Sequence, residues 1–161
     1  MINYIKGDAT NPIGDEQKVI VHVCNNLGGW GRGFVLSLSK RWKEPENTYR
    51  QTYKNFGLTL GDIQSIRVSS DVTVINMIAQ KGYGKNNSKL HKSDNEPNAE
   101  IPLQYDALEM CMKKVSNMHN TLNFSIHAPR FGCGLGGASW GMVENLIKEH
   151  WHDINVYIYD L

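Results

Sequence analysis

Residues 18–34 read KVIVHVCNNLGGWGRGF, a short apolar run followed by a loop with four glycines. A second run of the same kind, NFSIHA at 123–128, leads into PRFGCGLGGASWG at 129–141. Runs this short, with few charges, are typical of strands that are covered on both faces. A helical pattern follows each loop, so the sequence predicts two strand–loop–helix units of an α/β protein.

The rest of the chain continues this alternation. VTVINMIA at 72–79 predicts another buried strand, and weaker strands are expected for INYIK near the start and for residues 62–68 and 154–159. Apolar residues at helical spacing predict two amphipathic helices, one with Leu108, Cys111, Met112 and Val115, the other with Val143, Leu146, Ile147 and His150. Residues 34–42 and 45–56 predict two more helices. The expected fold is a layered α/β sandwich around a mixed sheet of about six strands.

Composition restricts the class of protein. The chain has 161 residues, of which 40% are hydrophobic, so one domain over 1–161 is expected. No apolar run approaches membrane-spanning length, and MINYIKGD does not resemble a signal peptide, which predicts a cytoplasmic protein without a membrane partner. The net charge of +1 predicts no stable binding of nucleic acid. Three cysteines, Cys24, Cys111 and Cys133, suggest no disulfide framework.

The glycine loops have a structural and a functional interpretation. Each could be only a tight turn, with Trp30 and Trp140 filling the core. Two such loops after two strands instead favour a ligand site, where main-chain N–H groups approach phosphate oxygens at the carboxyl ends of strands. Neither loop has the Gly-Lys-Ser/Thr ending of a P-loop or a G-x-G-x-x-G motif after the first strand. The sequence therefore predicts a diphosphate clamped between the two loops.

Four motifs together resemble the macrodomains of the Appr-1″-p processing branch. They are KGDAT at 6–10, IVHVCNNLGGWGRGF at 20–34, PRFGCGLGGASW at 129–140 and the terminal VYIYDL, and they span nearly the whole chain. The resemblance implies a three-layer α/β/α sandwich that binds ADP-ribose, or an ADP-ribosylated small molecule or macromolecule, without a cofactor. More loosely, the chain resembles the macrodomain hydrolases that remove ADP-ribose from acidic side chains or DNA bases.

The resemblance also implies roles for individual residues. Asp8 matches the acid that accepts the exocyclic amine of adenine, and Asn25 matches the contact to the distal ribose. The two glycine loops match the phosphate loops, and the chain end matches the segment that closes over adenine. The implied ligand-binding residues are Asp8, Ala9, Asn25, Trp30, Gly31, Arg32, Gly33, Phe34, Arg130, Phe131, Gly132, Cys133, Gly134, Leu135, Gly136, Tyr159 and Leu161.

Two positions depart from the hydrolases that act on acidic side chains. Those enzymes carry a Lys after the strand that here reads VINMIAQ, where this chain has Gln80 followed by Lys81. They also carry an Asp directly after GCGL, where this chain has Gly136. The chain therefore lacks the Lys and Asp pair at the matching positions.

The candidate catalytic residues are His22, Asn25, Gln80 and Lys81. His22 opens the HVCN stretch, and an imidazole there could act as an acid or a base on a terminal phosphate, or could simply be a core histidine. Cys133 lies between two glycines, where a thiol nucleophile is possible but a small turn residue is expected. The other histidines show no metal-ligand spacing, so no metal site is predicted; His150 and His152 are expected at the surface of a helix end.

Residues 81–98, KGYGKNNSKLHKSDNEPN, predict a long loop. Its lysines, Lys81, Lys85, Lys89 and Lys92, could meet an anionic ligand with Tyr83 stacking on it, or could be solvated. Three functions follow from these observations: hydrolysis of an ADP-ribose derivative such as ADP-ribose 1″-phosphate, removal of ADP-ribose from protein or nucleic acid, or binding without turnover.

Overall fold

The computed structural model describes residues 1–82 and 101–161. Six strands form one mixed sheet in the order β1-β6-β5-β2-β4-β3. All neighbouring pairs are parallel except β3 and β4. The strands are β1 Ile2–Lys6, β2 Lys18–Asn25, β3 Ile63–Arg67, β4 Val72–Gln80, β5 Ser125–Ala128 and β6 Val156–Asp160. The helices are α1 Phe34–Arg41, α2 Glu44–Phe56, α3 Tyr105–His119 and α4 Trp140–His150.

The helices cover both faces of this sheet. Leu38 of α1 and Tyr49 of α2 pack on one face with Ile20, Val74 and Ile78. The second core, on the other face, contains Leu108 and Met112 of α3 together with Val143 and Ile147 of α4. The expected three-layer α/β/α sandwich is therefore confirmed.

The alternation of side chains along β2 shows why the central strands are apolar throughout. Val19 and Val21 belong to the core under α3 and α4, whereas Ile20 and Cys24 belong to the core under α1 and α2. Both faces of the strand are thus withdrawn from water, which is the pattern of a strand inside a parallel sheet. His22 interrupts the apolar run on the α1 and α2 face, and its side chain is only 2% exposed.

Each strand and helix expected from the sequence is present, with ends shifted by a few residues. The expected loop at 81–98 lies outside the described residues except for Lys81 and Gly82, and so do Tyr83, Lys85, Lys89 and Lys92. Among the helices that the structure describes, none is both long and apolar enough to cross a membrane.

Candidate functional site

The two glycine loops meet at the carboxyl ends of β2 and β5, because these two strands are parallel neighbours in the sheet. After β2 the chain turns to α1 on one face, and after β5 it turns to α4 on the other face. Connections that leave adjacent parallel strands on opposite faces open a crevice at the carboxyl ends of those strands. A cavity of about 550 Å³ fills this crevice, lined by residues of both loops.

Most of the residues predicted to form the site line this cavity. They are His22, Asn25, Trp30, Gly31, Arg32, Gly33, Phe34, Gln80, Arg130, Phe131, Gly132, Gly134, Leu135 and Gly136. Asp8, Ala9, Lys81, Cys133, Tyr159 and Leu161 are not among the lining residues. No carboxylate lines the cavity in the part of the chain that the structure describes, whereas Arg32 and Arg130 do. The charge of the lining therefore favours an anion.

The Asn25 side chain holds the first loop in shape. Its Oδ1 accepts hydrogen bonds from the main-chain N–H groups of Leu27 and Gly29, at 2.9 and 3.1 Å, and its Nδ2 donates to the Gly29 carbonyl at 2.7 Å. The Tyr49 hydroxyl, from α2, lies 2.7 Å from the Asn25 carbonyl oxygen and 2.9 Å from Oδ1. Asn25 is only 8% exposed, so its amide acts first as a support of the loop.

Bare backbone faces the cavity at several glycines. A side chain at Gly31, Gly33 or Gly134 would begin in open space, with no atom within 4 Å of its Cβ. Gly33 has a φ of 78°, in the left-handed region, and directly precedes the first residue of α1. The missing side chains therefore leave room for a ligand beside main-chain N–H groups and a helix N-terminus.

Gly136 is a glycine for a different reason. A Cβ there would lie 2.4 Å from the main-chain oxygen of Gly132, closer than any side chain tolerates. The loop folds back on itself at this point: Ala138 N–H donates to the Gly132 carbonyl at 2.9 Å, and Leu103 N–H donates to the Gly136 carbonyl at 3.0 Å. An aspartate cannot occupy position 136 unless the backbone moves.

His22 is buried as a neutral imidazole. Its Nε2 lies 2.6 Å from Oδ1 of Asn76, whose Nδ2 donates to the Pro45 carbonyl and to Gln64, so Nε2 carries the proton. Trp30 and Phe34 pack around the ring, with centroids 5.5 and 5.7 Å away. Burial lowers the pKa of His22 from 6.5 to about 4, which disfavours an imidazolium at neutral pH.

Trp30 is buried in the wall of the cavity. Its indole Nε1 donates to the Ser39 hydroxyl at 2.7 Å, and that hydroxyl donates to the Glu46 carboxylate at 2.8 Å. The ring also lies 5.1 Å from the Tyr49 ring, so it joins the first loop to α1 and α2. Trp30 therefore packs in the core and lines the cavity at the same time.

Arg130 is fixed at the rim by its neighbours. Its Nε and Nη2 form two hydrogen bonds to the Asp160 carboxylate, at 2.8 and 3.0 Å. The guanidinium lies over the Tyr4 and Trp140 rings, 5.1 and 5.3 Å from their centroids. The pair with Asp160 raises the pKa of Arg130 above its ordinary value, so a permanent cation stands at the cavity wall.

Gln80 and Lys81 differ in placement. The Gln80 side chain lines the cavity, and its Nε2 donates to the Gly82 carbonyl at 3.0 Å. The main-chain N–H of Lys81 donates to the Pro102 carbonyl at 2.7 Å. Gln80 is therefore the member of this pair that reaches the cavity.

The residues expected around adenine lie outside the cavity lining. Asp8 is exposed at the end of β1, where its Oδ1 accepts from the Thr10 N–H and hydroxyl at 2.9 and 2.8 Å. Ala9 is buried, and the buried Tyr159 hydroxyl accepts from Ile13 N–H at 3.0 Å. Leu161 is fully exposed. The adenine assignment stays a prediction.

Cys133 is set back from the cavity. It packs against the core under α3 and α4, and its sulfur lies 3.7 Å from the Phe131 carbonyl oxygen. Burial raises the pKa of this thiol, which opposes formation of a thiolate. The placement favours the turn-residue interpretation over a nucleophile.

Sequence reasoning missed the residues that position the site. Tyr49 holds Asn25, Asn76 holds His22 and Asp160 holds Arg130. Asn76 carried a signal, since a lone polar residue inside the apolar run VTVINMIA needs a buried partner. Tyr49 and Asp160 carried none, because their partners are distant in the sequence.

We predict that Gly134→Ala and Gly136→Ala differ in stability. The Cβ at 136 meets main-chain oxygen, so Gly136→Ala should lower the free energy of unfolding by about 1–3 kcal/mol, whereas Gly134→Ala should stay within about 0.5 kcal/mol of the parent protein. Urea denaturation measures both. Equal stability of the two variants would contradict the packing described for this loop.

We also predict a pH dependence of stability that arises from His22. The pKa of His22 is about 4 in the folded state and 6.5 ordinarily. As the pH falls, the unfolded chain therefore takes up the proton before the folded chain does. The contribution of a neutral His22 to the free energy of unfolding is fully present above about pH 6.5. It is lost progressively as the pH falls to about 4, by up to about 3 kcal/mol. His127, with a pKa also lowered to about 4 by burial, adds to the loss in the same range.

The variant His22→Gln separates the two histidines, since it removes only the contribution of position 22. Urea titrations across this pH range should show a shallower loss of stability for the variant. An identical slope in both proteins would mean that His22 does not titrate as its burial implies.

The chain is similar to several known proteins in sequence and in fold. No family model matches the chain. The chain is 37% identical to a macrodomain protein from Streptomyces coelicolor, with a TM-score of 0.81 and coverage of 100% of this chain and 99% of that one. A Bacteroides thetaiotaomicron protein of unknown function is 46% identical, with a TM-score of 0.89 and coverage of 100% and 98%.

Two curated relatives differ in how much of their length is matched. A mouse protein, Chromodomain-helicase-DNA-binding protein 1-like, is 32% identical over 98% of this chain, but the chain spans only 17% of it. An ADP-ribose 1″-phosphate phosphatase of Candida albicans is 28% identical over 98% of this chain and 99% of its own length. Together with the Streptomyces structure, which matches over its full length, these similarities show that the chain belongs to the macrodomain family, of the Appr-1″-p processing type.

Proposed function

We propose that the cavity between the two glycine loops binds ADP-ribose and that the protein hydrolyses ADP-ribose 1″-phosphate. The observation that carries the proposal is the pair of loops, which line one cavity with bare main chain at Gly31, Gly33 and Gly134. A diphosphate needs several N–H donors within a short distance, and glycines alone let the main chain come that close.

The charge of the cavity supports an anionic ligand. Arg32 and Arg130 line it, and its described lining contains no carboxylate that would repel phosphate. Asp160 pairs with Arg130 and does not itself line the cavity, so Arg130 remains the member of this ion pair that faces a ligand. In this arrangement the diphosphate lies between the loops, and the distal ribose lies toward Asn25 and Gln80.

The catalytic part of the proposal rests on similarity along the whole chain. The Candida albicans relative, named an ADP-ribose 1″-phosphate phosphatase, matches 98% of this chain. In the proposed step water attacks phosphorus, the bond from phosphorus to the 1″ oxygen breaks, and a proton of the attacking water passes to the 1″ oxygen, so that ADP-ribose and inorganic phosphate are released. Main-chain N–H groups of the loops would stabilise the charge that develops on the phosphate oxygens.

The roles of His22 and Asn25 in this step follow from their surroundings. A neutral His22, with Nε2 bound to Asn76, leaves only Nδ1 as an acceptor, and the Cys24 sulfur lies 3.8 Å from that atom. His22 would therefore accept a hydrogen bond from water or ligand only in place of this thiol, and it would not donate a proton as imidazolium. Asn25 shapes the loop that meets the ligand. The substrate phosphate itself would then supply most of the charge that orients the water.

Removal of ADP-ribose from acidic side chains has less support. The chain has Gln80 and Gly136 where the hydrolases of that kind carry Lys and Asp, and the backbone contact at Gly136 leaves no space for a carboxylate. A binding module without turnover is the second candidate. It is favoured by the absence of carboxylates from the described cavity lining and by the neutral state of His22.

We predict that calorimetry will detect ADP-ribose binding that depends on open space at Gly31. Gly31→Val places a side chain in the cavity and should abolish binding, whereas Gly141→Val, in α4 and away from the cavity, should bind as the parent does. Asp8→Asn keeps an oxygen for Thr10 but loses an acceptor for adenine, and it should weaken binding by about 1–3 kcal/mol. Full binding by Gly31→Val would refute the cavity as the site.

We predict that the protein releases inorganic phosphate from ADP-ribose 1″-phosphate. The rate should exceed that of Gly31→Val, in which the substrate is excluded. Tight binding of ADP-ribose without phosphate release would establish the binding module instead. Loss of label from an ADP-ribosylated peptide or oligonucleotide, with no phosphate release from the ester, would establish the glycohydrolase.

A further inference from the structure

A cluster of potential metal ligands lies where α3 packs beside α4. Glu109 of α3 and Glu149 and His150 of α4 bring two carboxylate oxygens and one imidazole nitrogen within 4.8 Å of one another. None of the three residues lines the cavity between the glycine loops. The cluster is therefore separate from the proposed ADP-ribose site.

Among the residues that the structure describes, Nε2 of His150 has ion-pair contacts but no hydrogen bond of acceptable geometry. This nitrogen is closed off from solvent, and the side chain as a whole is only 11% exposed. Nε2 lies 3.2 Å from Oε2 of Glu109 and 4.0 Å from Oε1 of Glu149, yet with neither oxygen does it form a hydrogen bond of acceptable geometry. A buried polar atom of this kind requires a partner, because leaving it unpaired costs free energy.

The spacing of these atoms suits a small divalent cation. Zinc binds imidazole nitrogen and carboxylate oxygen at about 2.0–2.2 Å, so two ligands of a tetrahedral zinc ion are about 3.4 Å apart. The distances from Nε2 of His150 to the two carboxylate oxygens, 3.2 and 4.0 Å, lie on either side of that value. Glu149 is 66% exposed, so its carboxylate is able to move the remaining distance.

The neighbouring charges allow this coordination. Lys113 lies 3.6 Å from Oε1 of Glu109 and is itself largely exposed, whereas His150 contacts Oε2 of the same carboxylate. Oε2 of Glu109 is therefore available to a metal while Oε1 pairs with the lysine. Three protein ligands would leave one position for water.

We propose that Glu109, Glu149 and His150 form a zinc-binding site that links α3 to α4. One nitrogen and two oxygens favour zinc and related first-row metals over magnesium or calcium, which prefer oxygen alone. The bound ion stabilises the folded chain, since the three ligands come together only when the two helices are packed.

The test is a competition titration of the metal-free full chain with zinc and a chromophoric chelator. The parent protein should bind one zinc ion per chain and melt at a higher temperature with zinc than with magnesium. Glu149→Gln is the decisive variant because its side chain is mostly in solvent, so its loss does not disturb the core. It should weaken zinc binding by about tenfold or more and should remove the rise in melting temperature.

Two further variants complete the design. His150→Gln should weaken zinc binding at least as much as Glu149→Gln does, whereas His152→Gln, which removes an exposed histidine two residues away, should bind zinc as tightly as the parent. Absence of zinc binding by the parent, or equal binding by the parent and Glu149→Gln, would overturn the proposal. Cobalt in place of zinc adds a visible absorption band that reports the coordination of the ion in the parent.

Discussion

The pairing of β2 with β5 is the constraint on which the candidate site depends. Three residue pairs, Lys18 with Ser125, Val19 with Ile126 and Ile20 with His127, join the two strands in parallel. Parallel pairing sends both carboxyl ends to the same edge, and the helices that follow lie on opposite faces. A crevice at that edge is the geometric result, and no side chain has to be placed there to create it.

The loops that line the crevice are held in shape by hydrogen bonds within the protein. Asn25 and Tyr49 hold the first loop, and hydrogen bonds from Ala138 and Leu103 to main-chain oxygens hold the second. At Gly31, Gly33 and Gly134 no side chain covers the main chain that lines the cavity. Such a site is suited to a ligand that brings its own charge and needs preorganised donors, as a diphosphate does.

Buried polar residues in the central strands have structural roles that limit their chemistry. His22 is bound to Asn76 beneath the first loop, and His127 lies between the hydroxyls of Ser125 and Tyr159. In both cases burial lowers the pKa of the imidazole to about 4. Histidines so placed tie strands to their neighbours and favour the neutral form at neutral pH, which makes them unsuited to proton donation as imidazolium.

The sequence by itself determined the succession of strands and helices along the chain and the presence of two glycine loops, because apolar periodicity and glycine content are local properties of the chain. It also placed His150 on the apolar face of its helix, although the expectation of a surface residue was wrong: the side chain is largely buried against α3. Only the tertiary structure decided that the two loops share one cavity, that Gly136 has no space for a side chain, and that Glu109 lies beside His150. Each of these depends on contacts between segments that are remote in sequence or on the path of a loop, and neither is encoded in a local pattern of residue types.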